Sequence, residues 1–155
     1  PSPPEGDMDV IYFDPRQTSP ERDREIEDRL KHASPSFDWS VKNQARMHHR
    51  NTDPPYKSVA DAMQFWPETA TAVAVRLTAS GTLDICAPSG LSDLFDLNLR
   101  PTPTFESGRR AIFDQRVNAK AWLSRYPLLK IIEVPHSKTA PGSPEAAWYS
   151  RQEAD

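Results

Sequence analysis

Proline is the feature that most limits what this chain can fold into. The 155 residues include 16 prolines and only 5 glycines. Proline has no backbone N–H to donate and interrupts helices and interior strands, so we expect short elements joined by irregular connections. The length fits one domain with a core of its own. With 37% hydrophobic residues, part of the chain is expected to lie outside that core.

Strand-like and helix-like segments alternate between these prolines. The β-branched and aromatic segment "MDVIYF" predicts a strand over residues 8–13. Ser19 followed by Pro20 is typical of the start of a helix. Strict polar and apolar alternation in "FDWSV" predicts a half-buried strand over residues 37–41, and residues 42–50 are expected to be helical. This mixed order predicts an α+β fold.

The second half of the chain shows the same mixture. The predicted elements are two hairpin strands, over residues 69–78 and 82–87, and the longest helix, over residues 109–126. The hairpin is expected to turn at Gly81. From residue 135 onward, proline, serine and charged residues dominate. We therefore expect one domain over residues 1–134 and a flexible C-terminal tail over residues 135–155.

The overall charge and the single cysteine exclude several classes of protein. A net charge of −3 gives no general attraction to nucleic acid or acidic membranes, so a phosphate-bearing ligand needs a local basic cluster. One cysteine, Cys86, cannot form an internal disulfide or a thiolate zinc site within the chain. No apolar run approaches the ~20 residues that span a bilayer. We expect a cytoplasmic setting without membrane contact, and Cys86 as a buried thiol.

A pair of aspartates opens the first predicted strand. Asp7 and Asp9 are two residues apart, so their carboxylates share a strand face and repel one another unless a cation or donors compensate. Such a pair suits Mg²⁺, although solvated carboxylates are the alternative. Asp38 lies on the polar face of the next strand and can supply a third carboxylate, because consecutive elements tend to be neighbours. Asp84 has the same sequence pattern and is the rival third ligand.

Basic residues follow the second predicted strand. Lys42, Arg46 and Arg50 recur every four residues, so on a helix they line one face. That face suits a triphosphate or a polynucleotide backbone, with a merely solvated face as the equal alternative. The amide of Asn43 is placed either to read a base edge or to cap the chain.

Three segments together indicate a family. They are "DMDVIYFDP", "FDWSVKNQARMHHR" and "APSGLSDLFDLNLRP", and they resemble the bacterial nucleotidyltransferase-like proteins of the DNA polymerase β-type nucleotidyltransferase superfamily. The resemblance covers about residues 7–132. It implies a mixed sheet flanked by helices. It also implies Mg²⁺-dependent transfer of a nucleotidyl group from a nucleoside triphosphate to an unidentified hydroxyl acceptor.

The resemblance also assigns roles to individual residues. Asp7, Asp9 and Asp38 would be catalytic metal ligands, and Asp38 would help to deprotonate the acceptor hydroxyl. The implied nucleotide-binding residues are Lys42, Asn43 and Arg46.

One part of the superfamily pattern is missing. Members carry, ahead of the acidic pair, a strand and a helix joined by a Gly-Gly or Gly-Ser turn that holds the phosphates. Only six residues precede Asp7, and none of them forms such a turn. We therefore expect a nucleotidyltransferase domain without this strand, helix and turn, with loss of activity as the alternative that the missing phosphate-binding turn leaves open. The alternative function is a non-catalytic nucleotide- or protein-binding module. A nucleic-acid partner is not favoured, because the chain is acidic.

Overall fold

The computed structural model describes residues 6–133 and 148–150, and the chain divides into two compact units. The N-terminal unit is Pro1–Ala62 and the C-terminal unit is Met63–Asp155. The elements in chain order are β1 (Asp7–Tyr12), α1 (Pro20–Ala33), β2 (Asp38–Asn43), α2 (Gln44–Asn51), α3 (Val59–Met63), β3 (Ala74–Leu77), β4 (Leu83–Cys86), α4 (Ser92–Phe95), β5 (Asn98–Leu99), α5 (Pro103–Glu106), α6 (Arg110–Ala119), α7 (Trp122–Arg125), β6 (Lys130–Ile131) and β7 (Trp148–Ser150). The single domain expected over residues 1–134 stays a prediction.

The first helix of the N-terminal unit begins where its capping signals predict. Ser19 is the N-cap of α1, its Oγ accepts a hydrogen bond from the Glu21 N–H at 3.2 Å, and Pro20 is the first helical residue. The helix then packs against β2. β2 pairs with β1 in parallel, so α1 is the crossover that a parallel pair requires.

Two carboxylates of α1 cover the outer edge of β2. Glu27 Oε2 accepts the Val41 N–H at 3.2 Å, and Asp23 Oδ1 accepts the Asn43 N–H at 3.2 Å. Alternate N–H groups of a strand point to the same edge of the sheet. Because the Val41 and Asn43 N–H groups bind side chains of α1, they face away from β1. The two acceptors are four residues apart and therefore lie one above the other on the helix. Backbone donors that β1 does not reach are satisfied by side chains of α1.

The second helix begins later than the sequence pattern predicts. β2 continues through Lys42 and Asn43, which pair with Ile11 and Tyr12. The Asn43 side chain then caps α2 by accepting the Ala45 N–H at 3.1 Å. Because Lys42 is in the strand, the helical basic face predicted from Lys42, Arg46 and Arg50 is wrong.

The hairpin of the C-terminal unit is shorter than predicted and has a third strand. β3 and β4 pair antiparallel, and Gly81 adopts a φ of +82° in the turn between them. Residues 69–72 form a turn in which the Ala72 N–H donates to the Thr69 carbonyl at 3.2 Å. β7 pairs with the other edge of β4. The predicted flexible tail lies outside the described residues, except for the β7 backbone.

The helix predicted over residues 109–126 is interrupted. Ala121 adopts a φ of +50°, in the left-handed region, and separates α6 from α7. The core beneath these helices is formed by Leu99, Phe105, Phe113 and Val117, against which Trp122 and Leu129 pack.

An ion pair between Glu68 and Arg116 stabilises a buried carboxylate in the C-terminal unit. The Glu68 side chain has no solvent exposure, and its carboxylate accepts from Arg116 Nε at 2.7 Å and from Thr71 Oγ1 at 2.8 Å. The Arg116 side chain keeps 40% of its exposure. The buried charge therefore depends on a partner that water still reaches.

Two expectations about the whole chain can be compared with the described residues. Cys86 is fully buried, which confirms the predicted buried thiol, and burial raises the pKa of that thiol. Within residues 6–133 and 148–150, no helix combines the length and apolar character needed to cross a membrane.

Candidate functional site

The acidic residues singled out in the sequence lie on one face of the β1–β2 pair. Asp7 lies opposite Asp38, and Asp9 lies opposite Ser40. Partners in register on parallel strands point to the same side of the sheet, as do residues two apart on one strand. All three aspartates are exposed. The strands therefore place them together at their amino-terminal ends.

The carboxylates of β1 make no polar contact with the described residues. In residues 6–133, the side chains of Asp7 and Asp9 form neither a hydrogen bond nor an ion pair. Asp38 interacts electrostatically with Lys31. The pKa of Lys31 is raised mainly by its hydrogen bond to Glu27 and to a smaller degree by the charge of Asp38. Three negative charges on one face repel one another, and a positively charged ligand would relieve that repulsion.

The chemistry of the donor set fits a hard divalent cation. All three groups offer carboxylate oxygens, which are the ligands that Mg²⁺ prefers. No group of three or more His, Cys, Asp or Glu residues in the described part of the chain is already gathered around one metal position. What brings the three aspartates onto one face is the register of the strands.

Asp84, the rival third ligand, has a different environment. It lies on β4, in the C-terminal unit, and is 6% exposed. Its Oδ2 accepts hydrogen bonds from Arg76 Nη2 at 2.9 Å and Arg76 Nε at 3.1 Å. Unlike the exposed aspartates of β1 and β2, this buried carboxylate already has an arginine partner.

Of the three predicted nucleotide-binding residues, Lys42 lies on the acidic face, which is the side of the β1–β2 pair that carries Asp7, Asp9 and Asp38. It is on β2 opposite Ile11, four residues beyond Asp38, and its Nζ donates to the Val41 carbonyl at 3.1 Å. Residues i and i+4 of a strand point to the same side, so this cation lies about 13 Å further along the face.

Asn43 points to the other side of the sheet and holds the chain after β1. Its Oδ1 accepts from the Asp14 N–H at 3.0 Å, and its Nδ2 donates to the carbonyls of Asp14 and Gln17, both at 2.8 Å. Together with its capping bond to Ala45, these contacts use both polar atoms of the amide. A nucleotide contact by Asn43 stays a prediction.

Arg46 belongs to a buried network around Asp23, which the sequence reading did not single out. Asp23 is 3% exposed and accepts from the Tyr12 hydroxyl at 2.7 Å, from the Asn43 N–H and from Arg46 Nη2. Arg46 Nε is buried and has no hydrogen-bond partner among the residues that the structure describes. The sequence signal for this network was weak, because Asp23 and Glu27 resemble the other charged residues of α1. A nucleotide contact by Arg46 also stays a prediction.

The Asp23 network is expected to make stability depend on pH through Tyr12. Burial and the hydrogen bond to Asp23 raise the pKa of Tyr12 from 10.0 to about 12. The folded protein therefore holds the phenol proton more tightly than the unfolded chain. The stabilisation that the protonated Tyr12 gives the folded state is therefore complete below pH 10 and is lost as the pH rises to about 12.

Urea unfolding of the wild type and of Tyr12→Phe, at several pH values between 8 and 12.5, measures this contribution. We expect Tyr12→Phe to be less stable than the wild type at pH 8 and the difference to shrink above pH 10. Parallel pH profiles for the two proteins would contradict the assignment.

Comparison with known proteins agrees with this architecture. A solved NMR structure described as revealing a CCA-adding enzyme head domain matches with a TM-score of 0.73 and 34% sequence identity. The match covers 84% of this chain and 69% of that one. A family model described as nucleotidyltransferase matches residues 1–131. The chain therefore belongs to this nucleotidyltransferase family, which confirms the resemblance and the α+β fold class. No curated protein matches the chain.

Proposed function

We propose that this protein is a Mg²⁺-dependent nucleotidyltransferase that moves a nucleotidyl group from a nucleoside triphosphate to a hydroxyl acceptor. The observation that carries the proposal is the register of β1 and β2, which aligns Asp7 with Asp38 and leaves Asp9 on the same exposed face. Family membership supports the reaction class. Within residues 6–133, the side chains of Asp7 and Asp9 have no cationic partner, which supports a cationic ligand.

Asp7, Asp9 and Asp38 are the residues that would hold Mg²⁺. We prefer Asp38 to Asp84 as the third ligand because it is in register with Asp7, whereas Asp84 is paired with Arg76. Bound Mg²⁺ would neutralise phosphate oxygens and stabilise the departing pyrophosphate.

Two residues of this face would act on the substrates directly. An Asp38 carboxylate oxygen accepts the proton of the attacking hydroxyl, as a general base. Lys42 supplies positive charge to the phosphates further along the face. For Asn43 and Arg46, whose polar groups are engaged with the chain, the proposed role is to hold the end of β2 and the start of α2 beside the nucleotide.

Two observations favour different acceptor classes. The solved relative is described as a CCA-adding enzyme head domain, which favours a nucleic-acid end as the hydroxyl donor. The net charge of −3 provides no general attraction to a polyanion. A transfer assay with α-labelled nucleoside triphosphates, offering RNA with a free 3′ hydroxyl and protein acceptors in parallel, separates the two classes.

Nucleotide binding tests the proposal itself. Titration of the wild type with each of the four nucleoside triphosphates is expected to show binding that requires Mg²⁺ or Mn²⁺. Asp9→Asn is expected to weaken it about tenfold or more, because it removes the charge of a proposed metal ligand, and even losing a residue that supports a ligand typically costs about 10- to 100-fold in metal affinity. Calorimetric titration measures both affinities.

Asp28→Asn is the matched control. It removes the same charge from an exposed position of the same unit, on α1, and is expected to bind as the wild type does. If the wild type binds none of the four nucleotides, or if Asp9→Asn binds them as tightly as Asp28→Asn, the proposed function is wrong.

A further inference from the structure

Ser40 is an unassigned polar residue on the acidic face. It lies on β2 opposite Asp9 and two residues beyond Asp38, so all three side chains point to the same side. Ser40 is half-buried, and its hydroxyl makes no hydrogen bond to any residue within 6–133. By contrast, the hydroxyl oxygens of Ser19 and Ser58 accept backbone N–H groups at helix starts. Ser40 has no comparable structural role.

Along β2, the side chains on the acidic face change from acidic to hydroxyl to basic. Carboxylates come first, at Asp38 and its partner Asp7; Ser40 follows, opposite Asp9; Lys42 comes next, opposite Ile11. Each step of two residues advances about 7 Å. A hydroxyl therefore lies level with the last carboxylate, Asp9, and one step before the cation suited to phosphate. A serine hydroxyl can donate one hydrogen bond and accept others.

We propose that the Ser40 hydroxyl contacts the nucleotide by donating a hydrogen bond to a non-bridging phosphate oxygen. The contact rests on the proposed function, since it requires a nucleoside triphosphate between the carboxylates and Lys42. Carboxylates repel phosphate oxygens, so this stretch of the face needs a donor that is not itself an acid. Ser40 is such a donor, and its oxygen is committed to nothing else in the described residues. It is therefore a binding residue for the triphosphate and does not hold the metal.

Separate titrations with the metal alone and with the nucleotide test this assignment. The probes are Mn²⁺ without nucleotide, followed by electron paramagnetic resonance, and each of the four nucleoside triphosphates with Mg²⁺, followed by calorimetry. Ser40→Ala is expected to bind Mn²⁺ as the wild type does and to bind nucleotide about five- to tenfold more weakly. Ser40→Thr keeps the hydroxyl and is expected to restore most of the affinity.

Two controls separate binding from folding. Melting temperatures of Ser40→Ala and the wild type are expected to agree, because the hydroxyl has no partner to lose. Ser124→Ala, an exposed serine of the C-terminal unit, is expected to bind nucleotide normally.

The possible results distinguish this inference from the proposed function. Equal nucleotide affinity of Ser40→Ala and a wild type that binds would overturn the contact alone. A matching loss of Mn²⁺ affinity would also overturn it, by assigning Ser40 to the metal. A wild type that binds Mn²⁺ but none of the four nucleotides would overturn the proposed function, and the contact with it.

Discussion

Asp23→Ala is expected to lower the free energy of unfolding by about 3 kcal/mol. Removing one partner of a buried ion pair typically costs about 3–5 kcal/mol, and we take the lower end because the Arg46 side chain keeps 23% of its exposure. The substitution also leaves the Asn43 N–H and the Tyr12 hydroxyl without their acceptor. An unsatisfied buried donor adds to the cost.

Urea unfolding, together with hydrogen exchange at the Asn43 amide, measures this effect. Asp28→Ala is the matched control on the same helix. Asp28 is exposed, so its loss is expected to change stability by less than about 0.5 kcal/mol. Asp23→Asn keeps an acceptor oxygen and is expected to lie between the two. If Asp23→Ala and Asp28→Ala unfold at the same urea concentration, the network around Asp23 does not stabilise the unit.

The second large effect is expected at the buried pair of the C-terminal unit, and it is asymmetric. Arg116→Ala removes the cation from the buried Glu68 carboxylate, to which Thr71 is the remaining side-chain donor among the described residues. We expect a loss of about 3 kcal/mol, again the lower end of the usual range, because the Arg116 side chain is 40% exposed. Glu68→Gln leaves a guanidinium that water can solvate, because Arg116 is partly exposed. It is expected to cost about 1–2 kcal/mol.

Urea unfolding followed by tryptophan fluorescence reports on this pair, since the Arg116 guanidinium lies 5.7 Å from the centre of the Trp122 ring. Arg116→Lys serves as the control. It keeps the charge but loses the planar fork, so its stability should fall between those of the wild type and Arg116→Ala. A greater cost for Glu68→Gln than for Arg116→Ala would show that burial of the carboxylate does not dominate this pair.

Elements defined by local chemistry could be predicted from the sequence. The start of α1 followed from Ser19 and Pro20, because both act within one turn of the helix. The alternation around Trp39 located β2, although the strand runs to Asn43 and not only to Val41. The start of α2 was predicted too early, because the pairing of Lys42 with Ile11 depends on a strand 31 residues earlier in the chain.

The sequence predicted which residues of the candidate site share a face, but not which residues of the two strands lie opposite each other. That Asp7 and Asp9 share a face follows from strand geometry alone. Which residue of β2 lies opposite Asp7 does not, because register depends on packing across the whole unit. The two carboxylates of α1 that bind β2 gave only a weak signal, since a run of charged residues resembles a solvated helix face. Ala121 likewise carries no sequence mark of its left-handed backbone.

The two carboxylates that cover the edge of β2 also affect how this protein meets other copies of itself. An uncovered strand edge is a template on which a neighbouring chain can add a strand and begin aggregation. At Val41 and Asn43 that template is blocked, because an incoming carbonyl would have to displace Glu27 and Asp23. The side chains that complete the N-terminal unit therefore also protect this edge against intermolecular strand exchange.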